Sequence, residues 1–344
     1  MLLLRDVARG DLAGLKKLAA TLNSVNLPNN EKVLAGLIDK SSKSFSGKIE
    51  NPFEREYLFV LEDLRNKAII GTSMIIAQHG TKDAPHIYFQ VTMAEHYSAT
   101  VDRHFRHKVL SIGYNYDGPT EIGGLVVDPP YRSGTEKPGK QLSYVRFLFM
   151  AMHRTLFRDR VLAELLPPLM EDGRSLLWES IGKKFTGLDY VEADKLSRRN
   201  KEFIKELFPS SDIYASLFPA KAQKIIGEVG ANTRGVQRML ERIGFRYSNH
   251  IDPFDGGPHY EADLSDVTLV RHFRTATVGK EPLELEAPEV LIGIDRGAGP
   301  NRFRAVRTQV RFDDQVVYFP KTARELLKVK VGEKVSIIPF EQVG

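Results

Sequence analysis

The chain has no cysteine and a single tryptophan in 344 residues. Without cysteine there is no disulfide framework, no thiolate metal site and no cysteine nucleophile. Long apolar runs are missing as well: no stretch approaches the roughly 20 apolar residues that a membrane-spanning helix needs. The opening Met1-Leu2-Leu3-Leu4-Arg5-Asp6 turns polar too soon for a secretory signal, so the expectation is a cytoplasmic protein with no membrane partner. Charge of one sign is also scarce. Lys and Arg total 49 against 44 Asp and Glu, a net charge of +5. That excess suits attraction to a small anionic ligand and lacks the dense basic stripe of a nucleic-acid binder. His79, His86, His96, His104, His107, His153 and His272 show no ligand spacing, so no metal site is expected.

What is present describes a globular chain of two or three domains. Leu2–Val7 reads as a strand, and Leu12, Leu15, Leu18 and Leu22 repeat at helical spacing. A second helix starts at Pro28-Asn29-Asn30, with Asn as a cap and Val33, Leu34, Leu37 and Ile38 on one face. Strands follow at Tyr57–Glu62, Ala68–Ala77, His86–Ala94 and Thr120–Val127. A helix then carries Leu142, Val145, Leu148, Phe149 and Met152, before a strand at Arg160–Leu166 and a short helix ended by Gly182. The first half thus reads β-α-α-β-β-β-β-α-β-α. Further on, a helix with Val236, Met239, Leu240 and Ile243 ends at Gly244. Two strands then flank the breaker-rich turn Asp252-Pro253-Phe254-Asp255-Gly256-Gly257-Pro258. Glu281–Glu289 reads as a linker to a small β-rich module. The expected fold is a mixed α/β sheet, divided into residues 1–190, 191–280 and 281–344.

The stretch with most chemistry is Gly124-Leu125-Val126-Val127-Asp128-Pro129-Pro130-Tyr131-Arg132, followed by Gly134 and Gly139. It reads as a buried strand, a basic glycine-containing loop and a helix. Amides at a helix N-terminus hold phosphate, and a strand ending beside them presents its own amides to an acyl group. An N-acyltransferase that uses coenzyme A needs this pairing.

Two segments, Leu177-Trp178-Glu179-Ser180-Ile181-Gly182 and Met239-Leu240-Glu241-Arg242-Ile243-Gly244-Phe245, echo one another and read as two repeated units. Both resemble a segment that recurs in the GNAT acyltransferase superfamily. Over nearly its whole length the chain resembles the bacterial arginine N-succinyltransferases. Tyr57–Asp63, Leu125–Pro129, Arg146–Ala151, Ile226–Val229, Gly244–Tyr247 and Ile251–Pro258 carry this resemblance. It implies two tandem GNAT-like units with an active site near their junction and a terminal β-rich module. It also implies transfer of a succinyl group from succinyl-CoA to the α-amine of L-arginine in arginine catabolism. No cofactor would be permanently bound, and relatives assemble as homo- or hetero-oligomers.

In such a reaction the amine must lose a proton before it attacks the thioester, and the oxyanion needs a donor. By resemblance the succinyl-CoA contact falls on Leu125, with Val126 and Val127 as further backbone donors to the pantetheine arm. Arg132, Gly139, Lys140 and Gln141, with Gly134, are candidates for the pyrophosphate. The loop is about two residues longer than the relatives' Arg-x-x-Gly-x-Gly pattern, and Pro138 removes one donor. The family's histidine proton donor would follow Ile226-Gly227-Glu228-Val229, where this chain has Gly230, and nothing in the sequence requires glycine there. Glu121, on the strand face of Gly123 and Leu125, and His250 are the candidate replacements, with His259 similarly placed across the turn. Asp252 and Asp255 are candidates to hold a guanidinium, or turn residues making Asx contacts. From a different class, Val317–Val335 resembles the strand–Pro–helix–Gly–strand pattern of AbrB-type DNA-binding hairpins, an expectation ranked below the acyltransferase.

Overall fold

The computed structural model describes residues 1–22, 27, 29–82, 84–197, 200–280, 288–297 and 302–341. The expected linker lies outside the described residues as far as position 287, and Glu289 already starts a strand. Sixteen strands are present among the described residues: β1 (Leu2–Asp6), β2 (Glu56–Asp63), β3 (Ala68–Ile76), β4 (His86–Ser98), β5 (Arg103–Asn115), β6 (Thr120–Val127), β7 (Arg160–Glu164), β8 (Ile213–Tyr214), β9 (Arg246–Ile251), β10 (Pro258–Asp263), β11 (Arg274–Val278), β12 (Glu289–Asp295), β13 (Phe303–Gln309), β14 (Arg311–Asp313), β15 (Val316–Tyr318) and β16 (Lys334–Pro339). The long helices are α1 (Leu12–Leu22), α2 (Glu31–Phe45) and α3 (Pro138–Met152).

The chain forms two compact units, and both are discontinuous in sequence. The first joins Met1–Ala77, Ile122–Asp159 and Leu264–Gly344; the second joins Gln78–Glu121 and Arg160–Asp263. In the first unit the strands run in the order β14-β15-β11-β16-β12-β13-β1-β2-β3-β6. Asn30 caps α2 by accepting from the Val33 amide at 3.1 Å, as its residue type predicts. α1 and α2 bury Leu15, Leu18, Leu34 and Ile38 with Leu58, Val60 and Val126 of the sheet. α3 packs on β3, β2 and β12. In the second unit the order is β7-β10-β9-β4-β5-β8. Its core gathers Ile87, Phe89, Leu110, Trp178, Phe218, Ile251 and Phe254.

These units cut across the division at residues 190 and 280. The reason is long-range pairing: Leu4 of β1 lies opposite Ala305 of β13, so the C-terminal strands extend the sheet that the N-terminus starts. Leu3 shares a core with Val290, Ile292, Val306 and Ile337. The AbrB-like segment is built into this sheet too, with β16 hydrogen-bonded between β11 and β12. The two echoing segments both fall in the second unit, so they do not mark two repeated halves. Gly182 also differs from its expected role. The first helix ends at Ser180, and Gly182 opens the next one. A Cβ there would come within 2.2 Å of the Trp178 ring, so glycine makes room for the indole.

Candidate active site

In the first unit the loop that follows β6 is built as the pattern predicts. Burial alternates along β6, leaving Glu121, Gly123, Leu125 and Val127 half-buried and Val126 in the core. Gly124 has φ of +58°, a conformation that favours glycine. The hydroxyl of Thr72 donates to its carbonyl at 3.0 Å, which holds the kink in place. Arg132 folds back to donate to the Val127 carbonyl at 2.9 Å. α3 starts with Pro138 after Lys137 in the left-handed region, and a proline at this position forgoes an amide that has no helical partner anyway.

The predicted phosphate ligands here are not equivalent. The amides of Lys140 and Gln141 already donate to the Lys137 carbonyl at 3.0 and 3.1 Å. The Lys140 ammonium lies 3.2 Å from Glu341 and 4.6 Å from the Phe340 ring centre, and burial lowers its pKa. The Gln141 side chain donates to the Glu136 carbonyl at 2.7 Å. Gly139 is open: a Cβ there would meet only Val127, at 3.8 Å.

One further cation stands out on α3. Arg146 is 2% exposed, and among the described residues its guanidinium donates only to the Ser143 carbonyl, the Ser143 hydroxyl and, at 3.3 Å, the Gly123 carbonyl of β6. No carboxylate among the described residues offsets it, and burial pulls its pKa down to about 9.

In the second unit, β6 begins with Thr120 and Glu121, which pair in parallel with Val161 and Leu162 of β7. The Glu121 carboxylate forms an ion pair with Nε2 of His79. His79 is fixed by its own backbone, which accepts from the Gly118 amide and donates to the Pro119 carbonyl, both at 2.9 Å. Burial lowers the His79 pKa, but Glu121 and then Glu164 outweigh it, so the net shift is upward.

Beside this pair lies a second group. Glu164 ends β7 directly opposite His259 of β10. His86, the first residue of β4, stacks on His259 with ring centres 5.3 Å apart, and the His79 ring packs edge-on against His86 at 5.3 Å. Glu164 Oε1 is 3.2 Å from Nε2 of His86 and 3.5 Å from Nε2 of His259. Burial pushes the Glu164 pKa up, but His259, His86 and His79 pull harder and hold it below the ordinary carboxylate range. Burial likewise takes His259 down to about 4. His250, on β9, packs edge-on against His259 with ring centres 6.4 Å apart and makes a different polar contact. Its Nδ1 is 3.5 Å from Glu261, and its ring lies 4.2 Å from that of Tyr88.

Asp252 and Asp255 make the Asx contacts of the turn. Asp252 accepts from the amides of Phe254 and Asp255 at 2.7 and 3.0 Å, and Asp255 from that of Gly257 at 2.8 Å. Burial raises both pKa values, Asp255 to about 7 and Asp252 well above its ordinary range, where Asp255 adds repulsion. Gly230 is not a free choice. Its amide donates to the Leu166 carbonyl at 2.8 Å, and a Cβ would sit 2.8 Å from the Pro167 carbonyl oxygen. The glycine is needed because two backbone segments touch. Sequence reading missed His79, His86 and Glu164 because no local spacing links them.

A kinked strand that enters a basic loop and then a helix N-terminus is how an acyl-CoA-dependent N-acyltransferase handles its donor, and this chain is an enzyme of that class. The family model described as Arginine N-succinyltransferase beta subunit matches residues 2–269. The arginine N-succinyltransferase of Yersinia pestis is 33% identical over 348 residues, covering 98% of this chain and 97% of the relative. That of Escherichia fergusonii is 34% identical over 344 residues, with the same coverage. Arginine/ornithine succinyltransferase subunit AI from Pseudomonas aeruginosa is similar in structure, with a TM-score of 0.82 and 28% identity over 99% of each chain. The chain belongs to the arginine N-succinyltransferase family. No helix among the described residues is long and apolar enough to cross a membrane.

Proposed function

We propose that this enzyme transfers the succinyl group of succinyl-CoA to the α-amine of L-arginine, releasing N2-succinyl-arginine and free coenzyme A. The observation that carries this reading is the end-to-end likeness to arginine N-succinyltransferases. Succinyl-CoA is a co-substrate here and not a resident cofactor. The enzyme works in the cytoplasm, alone or as a homo- or hetero-oligomer.

Glu121 is the general base: it takes the proton that the α-ammonium must lose before nitrogen attacks the thioester carbonyl. Its pairing with His79 supports this role, because an imidazole beside the carboxylate supplies what Gly230 cannot. His250 is the second candidate, acting with Glu261. Amides of Leu125, Val126 and Val127 receive the acyl carbonyl and pantetheine arm. Arg132, the Gly139 amide and the Lys140 and Gln141 side chains receive the pyrophosphate, Lys140 exchanging Glu341 for phosphate. The buried guanidinium of Arg146, next to Gly123, receives the far carboxylate of the succinyl group, since a fully buried cation without an anion is costly. Asp252 and Asp255 shape the turn that receives the substrate's guanidinium side.

The test is a thiol-release assay with several acyl-CoA donors against a panel of amino acids. Succinyl-CoA with arginine should be the best pair. General acid–base groups contribute about 10²–10⁴-fold, so Glu121→Gln should lose that much in kcat, His79→Ala a large part of it, and His250→Ala little. Thiol release only with another amine would overturn the arginine assignment. A fully active Glu121→Gln would overturn the base.

A further inference from the structure

We propose that His86, Glu164 and His259 form a binding site for one divalent transition-metal cation of the zinc class. Nothing in the acyl-transfer reading requires this site, and it stands on separate observations.

The first is the triangle of donor atoms. One ring nitrogen of His86, one of His259 and a Glu164 carboxylate oxygen all lie within 4.8 Å of one another. Two of the edges, at 3.2 and 3.5 Å, meet at the same oxygen. Zinc binds nitrogen and carboxylate oxygen at about 2.0–2.2 Å in tetrahedral geometry, so two of its ligands sit about 3.3–3.5 Å apart. The two edges at Glu164 are close to that spacing, and the third is no longer than 4.8 Å. As a hydrogen bond, by contrast, 3.5 Å is too long.

The second is an orphaned imidazole. His259 is 0% exposed, and neither of its ring nitrogens has a hydrogen-bond partner among the described residues. Buried polar groups are satisfied in the great majority of cases. Here Nε2 points at Glu164 from a distance that suits a shared ion. Two neutral imidazoles and one carboxylate are a donor set that zinc favours over calcium or magnesium.

The third is rigidity with access. Glu164 and His259 are directly opposed across β7 and β10, and His86 is held by its stack on His259. The Glu164 side chain is 30% exposed, which gives an ion a way in. Three protein ligands leave a fourth tetrahedral position for water or another small donor.

The experiment uses the full-length, untagged protein after chelator treatment. Zn²⁺ is titrated by calorimetry, and Co²⁺ by visible absorption, where tetrahedral coordination gives intense d–d bands. The expected result is one saturable site per chain with a tetrahedral cobalt spectrum and a higher melting temperature with Zn²⁺. Loss of outer partners alone weakens metal sites roughly 10–100-fold, so Glu164→Gln and His86→Gln should each weaken binding at least about tenfold. His259→Ala tests the same point. If its burial prevents folding, the two more exposed ligands still decide. Absence of saturable binding near one equivalent overturns the proposal. So does parent-level affinity in Glu164→Gln and His86→Gln, which would place the ion elsewhere, such as His96, His104 and His107 of the β4–β5 hairpin.

Discussion

Changing Gly230 to histidine is the direct way to give this chain the imidazole that the resemblance leads one to expect there, and the structure predicts that it fails. A Cβ at this position would lie 2.8 Å from the Pro167 carbonyl oxygen and 3.0 Å from that of Leu166. Both are backbone atoms, and Pro167 is followed by Pro168, so the segment has little freedom to yield. It is hemmed in on another side as well, since a Cβ at Gly257 would come within 2.4 Å of the Leu165 carbonyl. Overpacking of this kind costs about 1–3 kcal/mol. Pushing Gly230 away also strains its 2.8 Å hydrogen bond to Leu166, which is worth about 0.5–1.5 kcal/mol. Together these put Gly230→Ala at about 1.5–4.5 kcal/mol of destabilisation, and Gly230→His at no less.

The sole tryptophan makes this measurable in the unit concerned. Trp178 is 0% exposed and stacks on Phe254 with ring centres 4.9 Å apart, inside the second unit. Its fluorescence during urea unfolding therefore reports the unit that holds Gly230, whatever the other unit does. The variants should unfold at lower urea with an unchanged slope, and thiol release by Gly230→His should not exceed the parent's. Gly230→Ala within about 0.5 kcal/mol of the parent, or a Gly230→His enzyme with higher kcat, would refute the reasoning.

Three further outcomes are expected. Gly139→Val should fold normally, since only Val127 is near, yet raise the KM for succinyl-CoA more than about tenfold; unchanged affinity would remove the helix N-terminus from the site. Arg146→Met should cost little stability, as exchanges of buried ions for hydrophobes often do. It should, however, reduce the preference for succinyl-CoA over acetyl-CoA by about 2 kcal/mol or more, and a preserved preference in the acyl-donor panel counts against the carboxylate contact. Asp6 is 4% exposed, and burial raises its pKa from 3.8 to about 6, although the Phe303 amide donates to it at 3.1 Å. Its stabilising contribution is therefore complete below about pH 4 and is lost as pH rises through 6. Asp6→Asn should flatten the stability profile across that window and gain on the order of 2–3 kcal/mol at pH 7, which denaturation at several pH values checks.

The parts of the molecule that were legible in sequence are those whose signal is local. The run from Thr120 through Arg132 to Met152 carries its strand, loop and helix in order, and all three formed. Asn30 announced its cap, and Asp252–Pro258 its turn. What stayed hidden depends on pairing over long separations. β5 escaped notice because Arg103-His104-Phe105-Arg106-His107-Lys108 belongs to the exposed half of a hairpin, where no apolar face is needed. The unit boundaries follow from β1 meeting β13, which no local pattern encodes. His86, Glu164 and His259 are spread over more than 170 positions and meet through the register of β7 on β10 and the stacking of two rings. Gly230 looked permissive because its constraint comes from Pro167, some sixty residues earlier.

That constraint bears on the chemistry as well as the fold. Leu166, which accepts from the Gly230 amide and, at 3.0 Å, from the Thr233 hydroxyl, stands two residues after Glu164. Leu165 is in turn bound to the Pro258 carbonyl at 3.1 Å, next to His259. The exit of β7 is thus tied on one side to the turn that holds Gly230 and on the other to the strand that holds His259. Where the resemblance leads one to expect an imidazole, after Ile226-Gly227-Glu228-Val229, this chain uses the Gly230 backbone as a clamp on the segment that carries Glu164. In this unit the imidazoles that face Glu121 and Glu164 come instead from His79, His86 and His259, on other elements. A histidine restored at 230 would therefore disturb the strand end that orients Glu164. The His79–Glu121 pair has its own anchor through Gly118 and Pro119, and the proposed proton transfer is placed there.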